Sequence, residues 1–138
     1  MKYYAVVDTN VIVSAMLSKK GDTATVLVFN KILSGDVIPM YSSGTMKEYR
    51  DVLTRKKFKF DTSAIMYMLS AIEKFGILVE PSATGILLPD MKDVPFYEIV
   101  MERRNDNPYL VTGNIKHFTS EKFIVTPAEF LKIIAMKE

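Results

Sequence analysis

The chain has no cysteine and a single histidine among its 138 residues. Without cysteine there is no disulfide scaffold, no thiol nucleophile and no zinc site built on sulfur. His117, standing alone, excludes multi-histidine metal sites and weakens any serine–histidine–aspartate reading. A strong charge of one sign is also missing. Eighteen basic against sixteen acidic side chains leave +2, too little to diagnose a nucleic-acid partner, so any positive surface must be local. No apolar run reaches the roughly 18 residues of a membrane span. The opening MKYYAVVDTNVIVSAML carries Asp8 and Asn10 inside its apolar stretch and lacks a cleavage site, which makes it a poor signal peptide. The expectation is a soluble, cytoplasmic protein with no membrane contact.

What is present is enough for one compact domain over residues 1–138: 49% of the residues are apolar and 25% charged. Tyr3–Val7 (YYAVV) is a short β-branched and aromatic run that suits a strand buried on both faces. Asp8, Thr9 and Asn10 are good capping residues, and a helix through Val11, Ala15 and Met16 follows until Gly21-Asp22. A second helix carries Ala24, Leu27 and Val28 on one face and continues to Ile32 and Leu33. Val37–Tyr41 reads as the second strand. Ser42 or Ser43 caps a third helix with Met46, Tyr49, Val52 and Leu53 on its apolar side, its far end basic through Arg55, Lys56, Lys57 and Lys59. Residues 61–75 repeat Ile65, Met68, Leu69 and Ile72 at helical spacing. Strand 77–79, loop 81–89 and helix 90–103 follow, with Pro95 tolerated in the first turn. Strands at Tyr109–Val111 and 123–125 and a helix over 127–136, capped by Thr126, complete the chain. This alternation predicts a three-layer α/β/α sandwich, Rossmann-like, around a mainly parallel sheet of about five strands.

Open parallel sheets bind ligands beyond the carboxyl ends of their strands. Asp8 follows the first strand directly. Glu48 lies about a turn and a half into the helix after the second. Asp93 opens the helix after the third, with Asp90 three residues earlier, and Thr112 and Asn114 follow the fourth. Each acid has a plain reading: Asp8 as a helix N-cap, Glu48 as a solvated residue pairing with Lys47 or Arg50 for ~0.3–0.5 kcal/mol, Asp93 as a complement to the helix dipole. Taken together at equivalent strand ends, a shared site is the better account. Carboxylates converging without histidine or cysteine make a hard-oxygen site suited to Mg²⁺ or Mn²⁺, and without a cation they would repel one another.

These residues also carry a resemblance. Val7-Asp8-Thr9-Asn10-Val11, then Ser14-Ala15, resembles the opening motif of PIN domains, and in particular of the branch that supplies toxin components of toxin–antitoxin pairs. Residues 42–58 (SSGTMKEYRDVLTRKKF), 89–96 (PDMKDVPF), 111–118 (VTGNIKHF) and 125–131 (VTPAEFL) resemble its later motifs in order. The resemblance implies a metal-dependent ribonuclease that uses Mg²⁺ or Mn²⁺. In it Asp8, Glu48 and Asp93 would be the catalytic, metal-holding carboxylates, Asp90 a reserve ligand, and Thr9, Asn10 and Thr112 supporting groups. Asn114 stands where the family often has aspartate, which bears on a second metal. It also supports an alternative, an inactive fold that binds protein or RNA. Partners implied are an RNA substrate, a cognate antitoxin and a second copy of the chain in a homodimer or higher oligomer.

Other patterns fit less well. A haloacid-dehalogenase-type phosphatase needs a second aspartate where Asn10 stands. A receiver domain needs an acidic pair that Val6-Val7-Asp8 does not provide, and a dinucleotide binder needs glycines where Asp8-Thr9-Asn10 stand. His117, in its Lys-His-Phe stretch, is expected in a turn or short helix flanking the site. The group Arg55, Lys56, Lys57 and Lys59 either grips an RNA backbone or is a solvated helix end, and Arg103-Arg104 leaves the same choice. The nine methionines read mostly as core, with some at a partner interface.

Overall fold

A computed structural model describes residues 2–137. Its strands are β1 (Tyr3–Val7), β2 (Val37–Tyr41), β3 (Ile77–Leu78), β4 (Tyr109–Val111) and β5 (Ile124–Val125). Its helices are α1 (Thr9–Leu17), α2 (Ala24–Leu33), α3 (Ser43–Leu53), α4 (Thr62–Phe75), α5 (Val94–Glu102) and α6 (Pro127–Lys137). The strands form one sheet in the order β3-β2-β1-β4-β5, and every pairing is parallel. Helices cover the sheet: α5 packs on β1, β2 and β4, whereas α2 packs on β2 and meets α1, α4 and α6. This is the expected α/β/α sandwich.

β1 is central because its side chains are apolar on both faces. Ala5 and Val6 are fully buried, and Ala5 pairs with Pro39 on one side and Tyr109 on the other. The Ile65, Met68, Leu69 and Ile72 stripe of α4 is buried. In α2 the buried face is Val28, Phe29 and Ile32, and Leu27 points outward, so the apolar stripe is rotated from the expected one. The largest fully buried side chains are Tyr49, Phe96 and Phe130; Tyr49 and Phe96 meet at 5.9 Å between ring centres, and Phe130 lies 5.4 Å from Tyr109. Met40, Met46 and Met68 are core residues, while Met66, Met91 and Met136 are exposed.

Local chemistry explains the helix starts that aim the site. Ser42 Oγ accepts from the Thr45 amide at 3.0 Å, and Thr45 Oγ1 accepts from the Ser42 amide at 2.8 Å, so α3 begins with a reciprocal capping box. Thr126 and Glu129 form the same device at α6. Two expectations are corrected. α3 ends at Leu53, so Arg55, Lys56, Lys57 and Lys59 lie in the irregular turn that follows, with Lys59 in the left-handed region at φ 55°, and not on a helix end. The expected helix 90–103 opens with a tight 3₁₀ turn, Met91–Asp93, before α5 proper. Among the described residues no helix is long and apolar enough to cross a membrane.

Candidate metal centre

Asp8 is held at the seam between β1 and β4. Its amide donates to the Val111 carbonyl at 2.9 Å, carrying the parallel pairing one residue beyond β1. Its side chain makes no capping bond to α1. Instead Asp8 Oδ2 accepts from Thr112 Oγ1 at 2.7 Å and from Asn10 Nδ2 at 3.2 Å. Asn10 Oδ1 in turn accepts from the Gly113 amide at 3.3 Å, and Thr112 Oγ1 accepts from the Asn114 amide at 3.0 Å. The network spans two strand ends, so neither end can shift without breaking it. Asp8 is only 4% exposed. Burial raises its pKa, and the bonds from Thr112 and Asn10 offset this only in part.

Glu48 reaches the same place from α3. It does not pair with Lys47, which bonds Asp51 at 2.9 Å; Glu48 Oε2 accepts from Thr9 Oγ1. Burial raises its pKa most, the Thr9 bond lowers it, and the charges of Asp8 and Asp90 add to the rise. Tyr49 fixes the helix behind it: its fully buried hydroxyl donates to the Val7 carbonyl at 2.6 Å, tying α3 to the end of β1.

Asp93 closes the 3₁₀ turn that Asp90 caps by accepting from the Lys92 amide at 3.0 Å. Asp93 is 9% exposed, and its buried Oδ2 has no hydrogen-bond partner. Burial first, then the charges of Asp8 and Asp90, push its pKa up to about 6, with His117 opposing. His117 ends a 3₁₀ turn after β4, Ile115–His117, and places Nδ1 3.3 Å from Asp93 Oδ2, within reach of an ion pair when the imidazole is protonated. The expectation of a cluster free of histidine is therefore corrected. The turn folds back because the pairing of β4 ends at Thr112, leaving residues 113–117 to curl over the carboxyl edge.

Asp8, Glu48, Asp90 and Asp93 line one cleft of about 550 Å³ together with Thr9, Asn10, the Lys47–Asp51 pair, Arg55, Phe58 and Lys92. At its edge Asp90 and Asp93 meet His117, and among the described residues these three form a set of possible ligands whose donor atoms all lie within 4.8 Å of one another; Asp8 and Glu48 stand outside that set. Asn114 is exposed, meets the network through its backbone amide and lines a separate hollow with His117 and Thr126. Of the basic group, Arg55 alone lines the cleft; Lys56, Lys57 and Lys59 are exposed beside it, with Lys57 Nζ 5.1 Å from the centre of the Phe58 ring. Arg103 pairs with Asp106 at 2.7 Å and Arg104 sits over Phe123, near the amino end of β4, away from the acids.

Sequence reasoning missed Tyr49, Lys92, Phe58 and the approach of His117 to Asp93. For Lys92 the signal was its place between Asp90 and Asp93. For His117 it was the distance of three residues from Asn114, one short 3₁₀ turn.

The donor set is oxygen-rich and its acids raise one another's pKa, a repulsion that a divalent cation would relieve. The orphaned Asp93 Oδ2 is a further mark of fit. Comparison with curated proteins and with solved structures gives no match. A family model described as PIN domain matches residues 4–116, a span that holds Asp8, Glu48, Asp90, Asp93 and Asn114 and stops one residue before His117. Sheet order, acidic cleft and this match agree, and the chain belongs to the PIN domain family, whose members are typically metal-dependent nucleases.

Proposed function

We propose that the protein is an endoribonuclease that hydrolyses RNA phosphodiesters with activated water, and that it is the toxin of a toxin–antitoxin pair. The observation that carries the nuclease reading is the convergence of Asp8, Glu48, Asp90 and Asp93, from the segments that follow three strands, on one cleft that also presents Asp51, Arg55 and Lys92. Asp8, Glu48 and Asp93 would hold Mg²⁺ or Mn²⁺, with Asp90 beside them. When bound, such an ion lowers the pKa of water and offsets negative charge on the phosphorane and the leaving oxygen.

The chain's own groups set the geometry for this chemistry. Thr112 and Asn10 fix the rotamer of Asp8, Thr9 holds Glu48, and Tyr49 keeps α3 against β1. Arg55 and the neighbouring Lys56, Lys57 and Lys59 offer cations to an RNA backbone, a contribution that salt weakens. No protein nucleophile is required. Exposed Met66 and Tyr67 on α4 support a protein partner, either an antitoxin or a second copy of the chain. The cytoplasm is where RNA and antitoxin would be met.

The test is product analysis on end-labelled RNA. Hydrolysis by water leaves a phosphate on one product and a free hydroxyl on the other. A 2′,3′-cyclic phosphate would instead show attack by the RNA's own hydroxyl and contradict the mechanism. For the toxin role, induced expression in bacteria should arrest growth with the wild-type chain and not with Asp8→Asn; equal growth would contradict it. A folded protein that neither cleaves RNA nor binds Mn²⁺ would favour the inactive binding module.

A further inference from the structure

His117 is the only histidine of the chain, its side chain is 44% exposed, and its Nδ1 lies 3.3 Å from Asp93 Oδ2. That spacing is close enough for a hydrogen bond, yet the buried oxygen receives none. Two donors that share a cation at about 2.1 Å and stand roughly at right or tetrahedral angles are about 3.0–3.4 Å apart. The pair therefore has the separation of adjacent ligands. Asp90 completes a set of three donors within 4.8 Å, reached by solvent from the Asp90 and His117 sides.

We propose that His117 is a metal ligand, forming with Asp90 and Asp93 a position of one nitrogen and two carboxylates that favours Mn²⁺ over Mg²⁺. An imidazole suits borderline transition ions, whereas Mg²⁺ prefers oxygen and keeps its waters. The inference rests on the metal-centre reading above and names a residue beyond the span of the family match. The extra donor is neutral and enters three residues after Asn114, on the turn that Asn114 caps.

The experiment loads tag-free protein with MnCl₂ and records nitrogen modulation of the electron spin echo, beside calorimetric titrations with MnCl₂ and MgCl₂. Since the chain has one imidazole, a coordinated imidazole nitrogen identifies His117. The expected result is nitrogen modulation in the wild type, its loss in His117→Asn and His117→Ala, and Mn²⁺ affinity lower by about tenfold or more with Mg²⁺ affinity much less affected. Mn²⁺ bound without nitrogen modulation, or a preference for Mn²⁺ undiminished in His117→Asn, would overturn the proposal. The wild-type spectrum decides even where a variant fails to fold. Nitrogen coordination in a protein that cleaves no RNA would uphold His117 as a ligand and sink the nuclease reading. RNA cleavage with no nitrogen coordination would do the reverse.

Discussion

Thr112 is fully buried, and its hydroxyl makes the shorter of the two side-chain hydrogen bonds to Asp8, 2.7 Å against 3.2 Å from Asn10. Thr112→Val keeps the shape and removes the bond, leaving a buried carboxylate short of one donor. Unfolding in urea should show a loss of about 1.5–3 kcal/mol, the usual worth of a bond to a charged group. The variant should also bind Mn²⁺ more weakly, because the pKa of Asp8 rises further and protons compete better for it; unchanged stability and affinity would contradict the assigned role. Asp8 and Thr112 were legible in the sequence because each directly follows a strand whose apolar pattern marks its end. His117 and Tyr49 were not. Their roles depend on Asp93 and on the Val7 carbonyl, partners distant in sequence, and no local pattern encodes that meeting.

Among the elements, the junction of α4 and β3 shows a close approach at a glycine. A Cβ on Gly76 would lie 2.4 Å from the Ile72 carbonyl oxygen and 2.5 Å from that of Pro39, both backbone atoms that cannot swing aside. Its φ of −105° is ordinary, so the need for glycine is close approach and not handedness. Gly76→Ala should destabilise by about 1–3 kcal/mol in thermal or urea unfolding, as overpacking does; a neutral result would show that β2 and α4 move apart freely. Element types were readable because apolar runs and caps coincide, as at Ser42 and Thr126. The boundaries of α3 and α5 were less so. The basic run after Leu53 carries no helix breaker, and the 3₁₀ turn at Met91–Asp93 arises from the Asp90 side chain bonding the Lys92 amide.

At the scale of the whole molecule, the acid cluster sets a pH dependence. The folded-state pKa of Asp93 is about 6, above its ordinary 3.8, and those of Asp8 and Glu48 are raised too. A carboxylate whose pKa rises on folding binds protons more tightly in the native state, so stability falls as pH climbs from about 4 to about 6. In chelator, the wild type should lose melting temperature over this interval relative to Asp93→Asn, which lacks the titrating group. Mn²⁺ at a hundred times its Kd should restore about 2.7 kcal/mol at neutral pH. Parallel curves for the two proteins would remove Asp93 from the account. The sheet order that brings these acids together, β3-β2-β1-β4-β5 with β1 between β2 and β4, is that of the Rossmann-like fold expected from the alternation of strands and helices; which side chains meet across it was not legible, since the sequence indicated only that several strands end in polar groups.

If these carboxylates form a metal-dependent phosphodiesterase site, single-turnover cleavage of labelled RNA will show it. Wild type and Asp8→Asn would be run side by side with Mn²⁺, with Mg²⁺ and with chelator. The expected result is cutting by the wild type with metal, none in chelator, and a loss of about 10²-fold or more in Asp8→Asn. Cutting that persists in chelator, or that Asp8→Asn retains in full, would contradict it.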